Sequence, residues 1–292
     1  MSEIKSSHGL KFKKFDLHVH TPASGDYKDK EITADDIVNE AIKKGLSGIA
    51  ITDHQTGDWI DSIKDKAKAK NLAVFPGVEI KVHGGQSGIH LIVLFDITKT
   101  SNHVLAFLNT IKVYNYNGKS DIIANKTIID VAKELQEFDP TAVLILAHCD
   151  STLGVDSDMR GEQRSNIFKP EWFCLLGAEA SEANFLDKDK KQKHTRIVDL
   201  VDGGYPVFHG KKLGVYQASD AHSVQDIGAK FTYFKVDEPI TLEDIKQSLL
   251  DRDTRIRQSF EFQEHTYPCI KSLKVTSGFL SDQCFVFHEG LK

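Results

Sequence analysis

Cysteine is scarce in this 292-residue chain, with four residues, Cys149, Cys174, Cys269 and Cys284, and no Cys-x-x-Cys spacing. That argues against a disulfide framework and fits a reduced, cytoplasmic protein. No stretch approaches the run of about 18 apolar residues that a membrane-spanning helix needs. Residues 1–10 lack an apolar signal core. Proline is also rare, at seven residues, while 40% of the chain is apolar and 27% charged, which excludes a disordered or fibrous protein. There is no excess of positive charge: the formal net charge is −5, so no global basic field draws in nucleic acid. This weighs only modestly against a phosphate-bearing substrate, because bound divalent cations would reverse the sign locally. Internal repeats and low-complexity linkers are absent. A phosphate-binding loop is missing too, since the one Gly-Lys-Ser, at residues 118–120, has Val113 where the first glycine is required.

What is present is an alternation of short apolar strands with helical patterns, pointing to parallel β/α construction as a barrel or a doubly wound sheet. Strands are predicted at residues 15–20, 47–52, 72–75, 142–147, 175–180 and 215–219. Residues 78–83 and 89–95 read as a hairpin or irregular pair. Thr33 with Asp36 marks a helix start and Gly45 its stop. Further helices are predicted at 58–70, 101–113, 126–138 and 189–202, the last opening on a solvated charge run at 188–193.

The thirteen histidines carry the information. His18 and His20 form a His-x-His pair at the end of the first strand, where residues i and i+2 point to one side and both imidazoles can reach one ion. Asp53-His54 closes the second strand, and Glu79 follows the third. His90 begins a strand, His148 ends the 142–147 strand, and Asp220-Ala-His222 follows the last. One histidine at a strand end is usually a surface or hydrogen-bonded residue. Six of them at strand ends or starts, with carboxylates near three, point to metal. Imidazoles with carboxylates suit Zn, Mn or Fe, and the C-terminal end of a β/α barrel is where its loops converge on a site. His83, His103, His194, His209, His265 and His288 do not share this placement and read as structural or solvent-exposed, with His8 in a frayed tail.

Phe15-Asp-Leu-His-Val-His-Thr21, Ile51-Thr-Asp-His54, Gly77-Val-Glu79, His90 in Gly-Ile-His-Leu, Ala147-His148 and Ala218-Ser-Asp-Ala-His222 together resemble the PHP family, named for polymerase and histidinol phosphatase domains. The resemblance implies an α/β fold, a distorted seven-stranded (β/α) TIM-like barrel, spanning residues 14–237 after a tail at 1–13. It also implies two or three divalent metal ions (Zn, Mn or Fe). One would take His18, His20, Glu79 and Asp220. Glu79 would bridge to a second, held by His90 and His148, and His54 and His222 would hold a third with Asp26. Ser24-Gly25-Asp26 is shifted relative to the usual Ser-Asp-Gly, which bears on Asp26. Asp16 and Asp53 are read as groups orienting ligand imidazoles, against plain solvation or capping.

The activity implied is hydrolysis of a phosphoester by a metal-activated hydroxide, with His18, His20, Glu79, His148 and Asp220 at its centre. Nucleic acid or a nucleotide is the expected substrate. A histidinol-phosphatase-like monoesterase and a catalytically silent binding module are the alternatives. Arg160 and Arg164, four residues apart, are candidates to clamp a phosphate oxygen, against an exposed helix face. Lys28, Lys30, Glu179, Glu182 and Asn184 are weaker candidates for the pocket.

Residues 238–292 are expected to form a small β-containing extension. Its last phrase, from Ser277 to Gly290-Leu291-Lys292, resembles the opening strands of an SMC-like ATPase, as in TrlF-type PHP–ATPase fusions. The expectation is a truncated chain whose ATPase partner in cis is missing.

Overall fold

The computed structural model describes residues 9–85, 87–114, 118–119, 123–151, 153–155, 171–180 and 213–258. The chain opens with strand β1 (Lys11–Val19), helix α1 (Ala34–Lys43), β2 (Gly48–Ile51) and α2 (Ile60–Ala67). There follow β3 (Ala73–His83), β4 (Ile89–Leu94), α3 (Ser101–Thr110), β5 (Ile123–Thr127) and α4 (Ile128–Phe138). Strands β6 (Val143–Leu146), β7 (Leu175–Glu179), β8 (Gly214–Tyr216) and β9 (Thr232–Val236) precede α5 (Leu242–Leu250), the one-turn α6 (Arg252–Arg255) and β10 (Ile256–Gln258).

Local chemistry sets several of these boundaries. Thr33, Thr127 and Thr241 each cap a helix, their hydroxyls accepting the backbone N–H of Asp36, Asp130 and Asp244, whose carboxylates reach back to the cap. Each such box is worth about 1 kcal/mol. The Thr127 box explains why α4 begins after residue 126: Lys126 belongs to β5, a strand the sequence did not suggest. The strands expected at 72–75 and 78–83 are one continuous β3. Its first half pairs with β2 and its second with β4, and Gly77 marks the join. A Cβ at Gly77 would lie 2.8 Å from the Val93 carbonyl oxygen, too close for any side chain.

The sheet order β1-β2-β3-β4-β6-β7-β8 makes seven strands, parallel except for β4, which runs antiparallel to both neighbours. A bridge between Val19 and Ala221, with His20 N–H donating to the Ala221 carbonyl at 3.0 Å, brings the end of β1 against the stretch after β8. The sheet therefore nearly closes as a distorted barrel, and a doubly wound sheet is excluded. Pairing does not stop at Asp237: β9 lies antiparallel to the first half of β1, and β10 pairs with β9. Residues 259–292, with the ATPase-like phrase, lie outside the described residues, as do Cys269 and Cys284.

Alternate residues of one strand feed two apolar clusters, as a period of two requires. Ala50, Phe75, Ile92, Leu94, Val143 and Ile145 meet Ile245 and Leu249 of α5 in the barrel interior. Ile49, Ile51, Val74, Leu91, Val93 and Leu144 face Ile37, Ile60, Val104 and Leu135 of the surrounding helices. Phe15 and Phe234 pack edge to face inside, centroids 5.7 Å apart, worth about 0.5–1.5 kcal/mol beyond the area they bury. Among the described residues, no helix is long and apolar enough to cross a membrane.

Candidate metal centre

Strand direction decides which side chains meet. β1, β2, β6 and β8 deliver His18/His20, His54, His148 and Asp220/His222 at or just beyond their C-terminal ends. Because β4 is antiparallel, its N-terminal end lies at that same rim, and so His90 arrives from the start of a strand. Glu79 sits within β3, which outruns β2 and bridges to His54. His148 and Asp220 both have left-handed backbones, with φ of 26° and 51°. A Cβ disfavours that region, so the surrounding structure holds these two turns at a cost of order 1–3 kcal/mol each.

Nine side chains converge. His18 Nε2 and His20 Nε2 are 3.0 Å apart. Asp220 Oδ1 lies 3.3 and 3.2 Å from them, and Glu79 Oε2 3.4 Å from each. The other Glu79 oxygen, Oε1, is 2.7 Å from His90 Nδ1 and 3.3 Å from His148 Nε2. His54 Nδ1 comes within 2.9 Å of Glu79 Oε2. Asp26 lies 3.2 Å from His54 Nε2 and 3.4 Å from His222 Nε2, so the shifted loop register still brings it in. His18 and His20 are fully buried, whereas the Asp26 and Asp220 side chains are 46% and 41% exposed and mark the side open to solvent.

A ring of hydrogen bonds turns the imidazoles inward. His18 Nδ1–H donates to Glu179 Oε2 at 2.7 Å. Ser24 Oγ donates to Asp53 Oδ1 at 2.7 Å and so must accept from His20 Nδ1–H at 2.8 Å. His222 Nδ1–H donates to the Asp220 carbonyl at 2.9 Å. Each bond leaves Nε2 to face the cluster, as a ligand imidazole requires. Asp53 thus acts on His20 at one remove, while also accepting Thr21 N–H and Oγ–H. Asp16 touches no imidazole: it accepts Ser219 N–H, Ser219 Oγ–H and Gly228 N–H, fixing the turn before Asp220.

The electrostatics are those of a cluster that wants positive charge. Burial alone would lower His18, yet Glu179, Asp220 and Glu79 hold it well above its ordinary value. His54, opposed by burial, is pushed up to about 10 by Asp26 and Glu79. Burial would raise Glu79, Asp220 and Asp26, but the facing histidines hold all three below the carboxylate range. His90 is lowered, chiefly by burial.

The residues fit divalent ions on structural grounds. His90 Nε2 and His148 Nδ1 are buried without a hydrogen-bond partner, and buried Glu79 Oε2 is faced by the ring nitrogens of His18, His20 and His54. Three sets, His18/His20/Glu79/Asp220, His54/Glu79/His90 and His20/His54/His222, have donor atoms within 4.8 Å of one another. The 3.0–3.4 Å contacts in the first set match the edge of about 3.4 Å for a tetrahedron of ligands about 2.1 Å from an ion.

Residues 16–166 match the PHP domain family. The chain belongs to the PHP domain family. The 5'-3' exoribonuclease of Haemophilus influenzae is 33% identical over 100 residues, 34% of this chain and 35% of that protein. The 5'-3' exoribonuclease Rnm of Escherichia coli K12 is 36% identical over 87 residues, 29% of this chain and 28% of that protein. This PHP chain therefore spans only about a third of the length of the curated relatives it matches. A two-domain protein from Bacteroides vulgatus, described as containing a predicted PHP-like metal-dependent phosphoesterase, shares the fold. Its TM-score is 0.56 at 17% identity, covering 87% of this chain and 66% of that one.

Other expected pocket residues fare differently. Lys28 pairs with Asp226 at 2.9 Å, and Lys30 holds the Pro22 and Ser24 carbonyls, so both brace the first loop instead of offering a free cation. His103 Nε2–H donates to Asp139 Oδ2 at 2.9 Å, in the structural role expected of it. Arg160, Arg164, Glu182 and Asn184 lie outside the described residues. Beside the cluster is a cleft of about 250 Å³ lined by His148, Asp150, Ser151, Glu179, Asp220 and Lys230, among others. Sequence reasoning missed Lys230, which carries no motif, noted Ser24 only for the register of its loop, and named Glu179 only as a pocket residue.

Proposed function

We propose that this PHP chain is a metal-dependent phosphoesterase acting on nucleic acid or nucleotides. The observation that carries the reading is Glu79, whose two buried oxygens face different imidazole sets: Oε1 meets His90 and His148, and Oε2 meets His18, His20 and His54. A carboxylate so placed suits a bridge between two ions. Divalent ions held here would lower the pKa of water and neutralise charge on a phosphoryl group. His18, His20 and Glu79 provide the buried floor. Asp26, His148, Asp220 and His222 form the rim a substrate meets, with Lys230 lining the adjoining cleft as an anion contact. Names of relatives support a nucleic-acid substrate, since those matched are called 5'-3' exoribonucleases.

The test is hydrolysis of a 5'-labelled single-stranded oligonucleotide beside a nucleoside monophosphate, with Mn- or Zn-loaded protein. A variant carrying His20→Ala and His148→Ala is the control. The expected result is oligonucleotide cleavage that the control lacks. Phosphate release from the monoester alone would overturn the substrate class in favour of a small-molecule phosphatase. Hydrolysis of neither would sink the enzymatic reading.

A further inference from the structure

Glu179 lies at the end of β7, with its side chain only 5% exposed, and no motif marks it. One of its oxygens, Oε2, accepts two protons' worth of hydrogen bonding: His18 Nδ1–H at 2.7 Å and the backbone N–H of His148 at 3.3 Å. The main chain repeats the link, Cys149 N–H donating to the Glu179 carbonyl at 2.8 Å. Strand β7 therefore holds a side chain of β1 and the turn after β6 through a single residue.

We propose that Glu179 is a positioning residue for the metal centre, a role that rests on the metal reading above. Its carboxylate does two things. It fixes His18 in the tautomer whose Nε2 lone pair faces Glu79, His20 and Asp220, and a negative acceptor makes that ring a stronger donor to a cation. It also ties down the left-handed His148 turn, which has φ of 26° and would relax if the N–H lost its partner. His18 belongs to one potential ion position, and His148 stands on the Glu79 Oε1 side of another. Glu179 thus sets the geometry of two positions at once without facing either cation.

The test measures metal retention, not turnover. Wild type, Glu179→Gln and Glu179→Ala are titrated with Zn²⁺ or Mn²⁺ against a competing chelator, and the Co²⁺-loaded forms are compared by visible absorption. Glu179→Gln keeps the accepting oxygen but loses the charge, and about tenfold weaker binding is expected. Glu179→Ala loses both and should bind up to about 100-fold more weakly, with an altered Co²⁺ spectrum. Affinity within twofold of wild type and an unchanged spectrum in Glu179→Ala would overturn the proposal. So would a lower melting temperature of the metal-free variant with metal affinity intact. Should Glu179→Ala fail to fold, wild-type affinity in the isosteric Glu179→Gln overturns it instead. Hydrolysis assayed in parallel separates the two readings. Weakened metal binding with no wild-type turnover sinks the phosphoesterase and keeps Glu179; the reverse pattern does the opposite. A wild type that holds no metal overturns both.

Discussion

His18 and His20 face each other with their Nε2 atoms 3.0 Å apart, each ring having turned its Nδ1–H outward, to Glu179 and to Ser24. Two buried acceptors so close repel unless a proton or a cation lies between them. Removing one imidazole should therefore act on metal occupancy before it acts on the fold. His20→Ala is expected to lower bound metal, measured by elemental analysis, by at least one ion per chain. Phosphoester hydrolysis should fall by more than the roughly 10–100-fold that loss of an outer hydrogen-bond partner costs. Thermal stability of the metal-free variant should stay near wild type. Unchanged metal content would remove His20 from the proposed ligand set.

Protons compete with metal at this centre, and the direction of the shifts sets the pH dependence. His54 is pushed up to about 10 by Asp26 and Glu79 against the effect of burial, and His18, His148 and His222 are raised too. In the metal-free protein these raised imidazoles give stability that is fully present below their ordinary value of 6.5. It is lost as pH climbs through the folded values, about 10 for His54. A cation needs the neutral rings, so its binding releases protons across that window. Apparent metal affinity should rise by about tenfold per pH unit for each proton displaced. Chelator competition at several pH values checks this, and a flat profile would contradict it.

Much of this was legible because ligand chemistry at strand ends is local in sequence. His18-Val-His20 and Asp220-Ala-His222 each place two donors within three residues, Asp53-His54 sets a donor beside a group that steadies the loop, and a strand's period of two does the rest. The direction of β4 was not legible. His90 looks like a strand start, and only pairing with β3 and β6 shows that this start lies at the working rim. Glu179 was illegible for a related reason: its partner His18 is 161 residues away, and no local pattern announces the contact. The sequence offers Gly118 only as part of a Gly-Lys-Ser without the first glycine of a phosphate loop, and the contact that Gly118 makes depends on the distant 23–25 loop.

Asp16 offers a stability test separate from metal. It is fully buried, and burial raises its carboxyl to about 6 despite donors from Ser219 and Gly228. The folded state then holds this proton more tightly than the unfolded chain, whose ordinary value is 3.8. Its contribution to stability accordingly falls as pH rises from about 4 to about 6 and is level above that. Asp16→Asn removes this dependence but turns an amide NH₂ toward groups that donate. A net loss of about 1–3 kcal/mol at neutral pH is expected in denaturant unfolding. A neutral or stabilising outcome would mean that the Ser219 and Gly228 contacts are dispensable.

Gly118 makes the last prediction. Its backbone is left-handed at φ +67°, its carbonyl accepts Gly25 N–H at 2.6 Å, and the neighbouring Lys119 carbonyl accepts Gln55 Nε2–H at 3.1 Å. A Cβ on Gly118 would fall 1.7 Å from the Ala23 carbonyl oxygen, a backbone atom that cannot rotate away. Gly118→Ala must therefore shift the 118–119 segment, the 23–25 loop, or both. That loop carries Ser24, which orients His20, and leads into Asp26, which faces His54 and His222. The variant should lose metal from the His54/His222 side first, so that a titration resolving separate binding steps shows one weakened step and the others retained. Global unfolding should move little, because the clash sits at the rim and the barrel's apolar interior lies elsewhere. Uniform loss of every binding step, or of the fold itself, would show that the segment does more than brace the first loop.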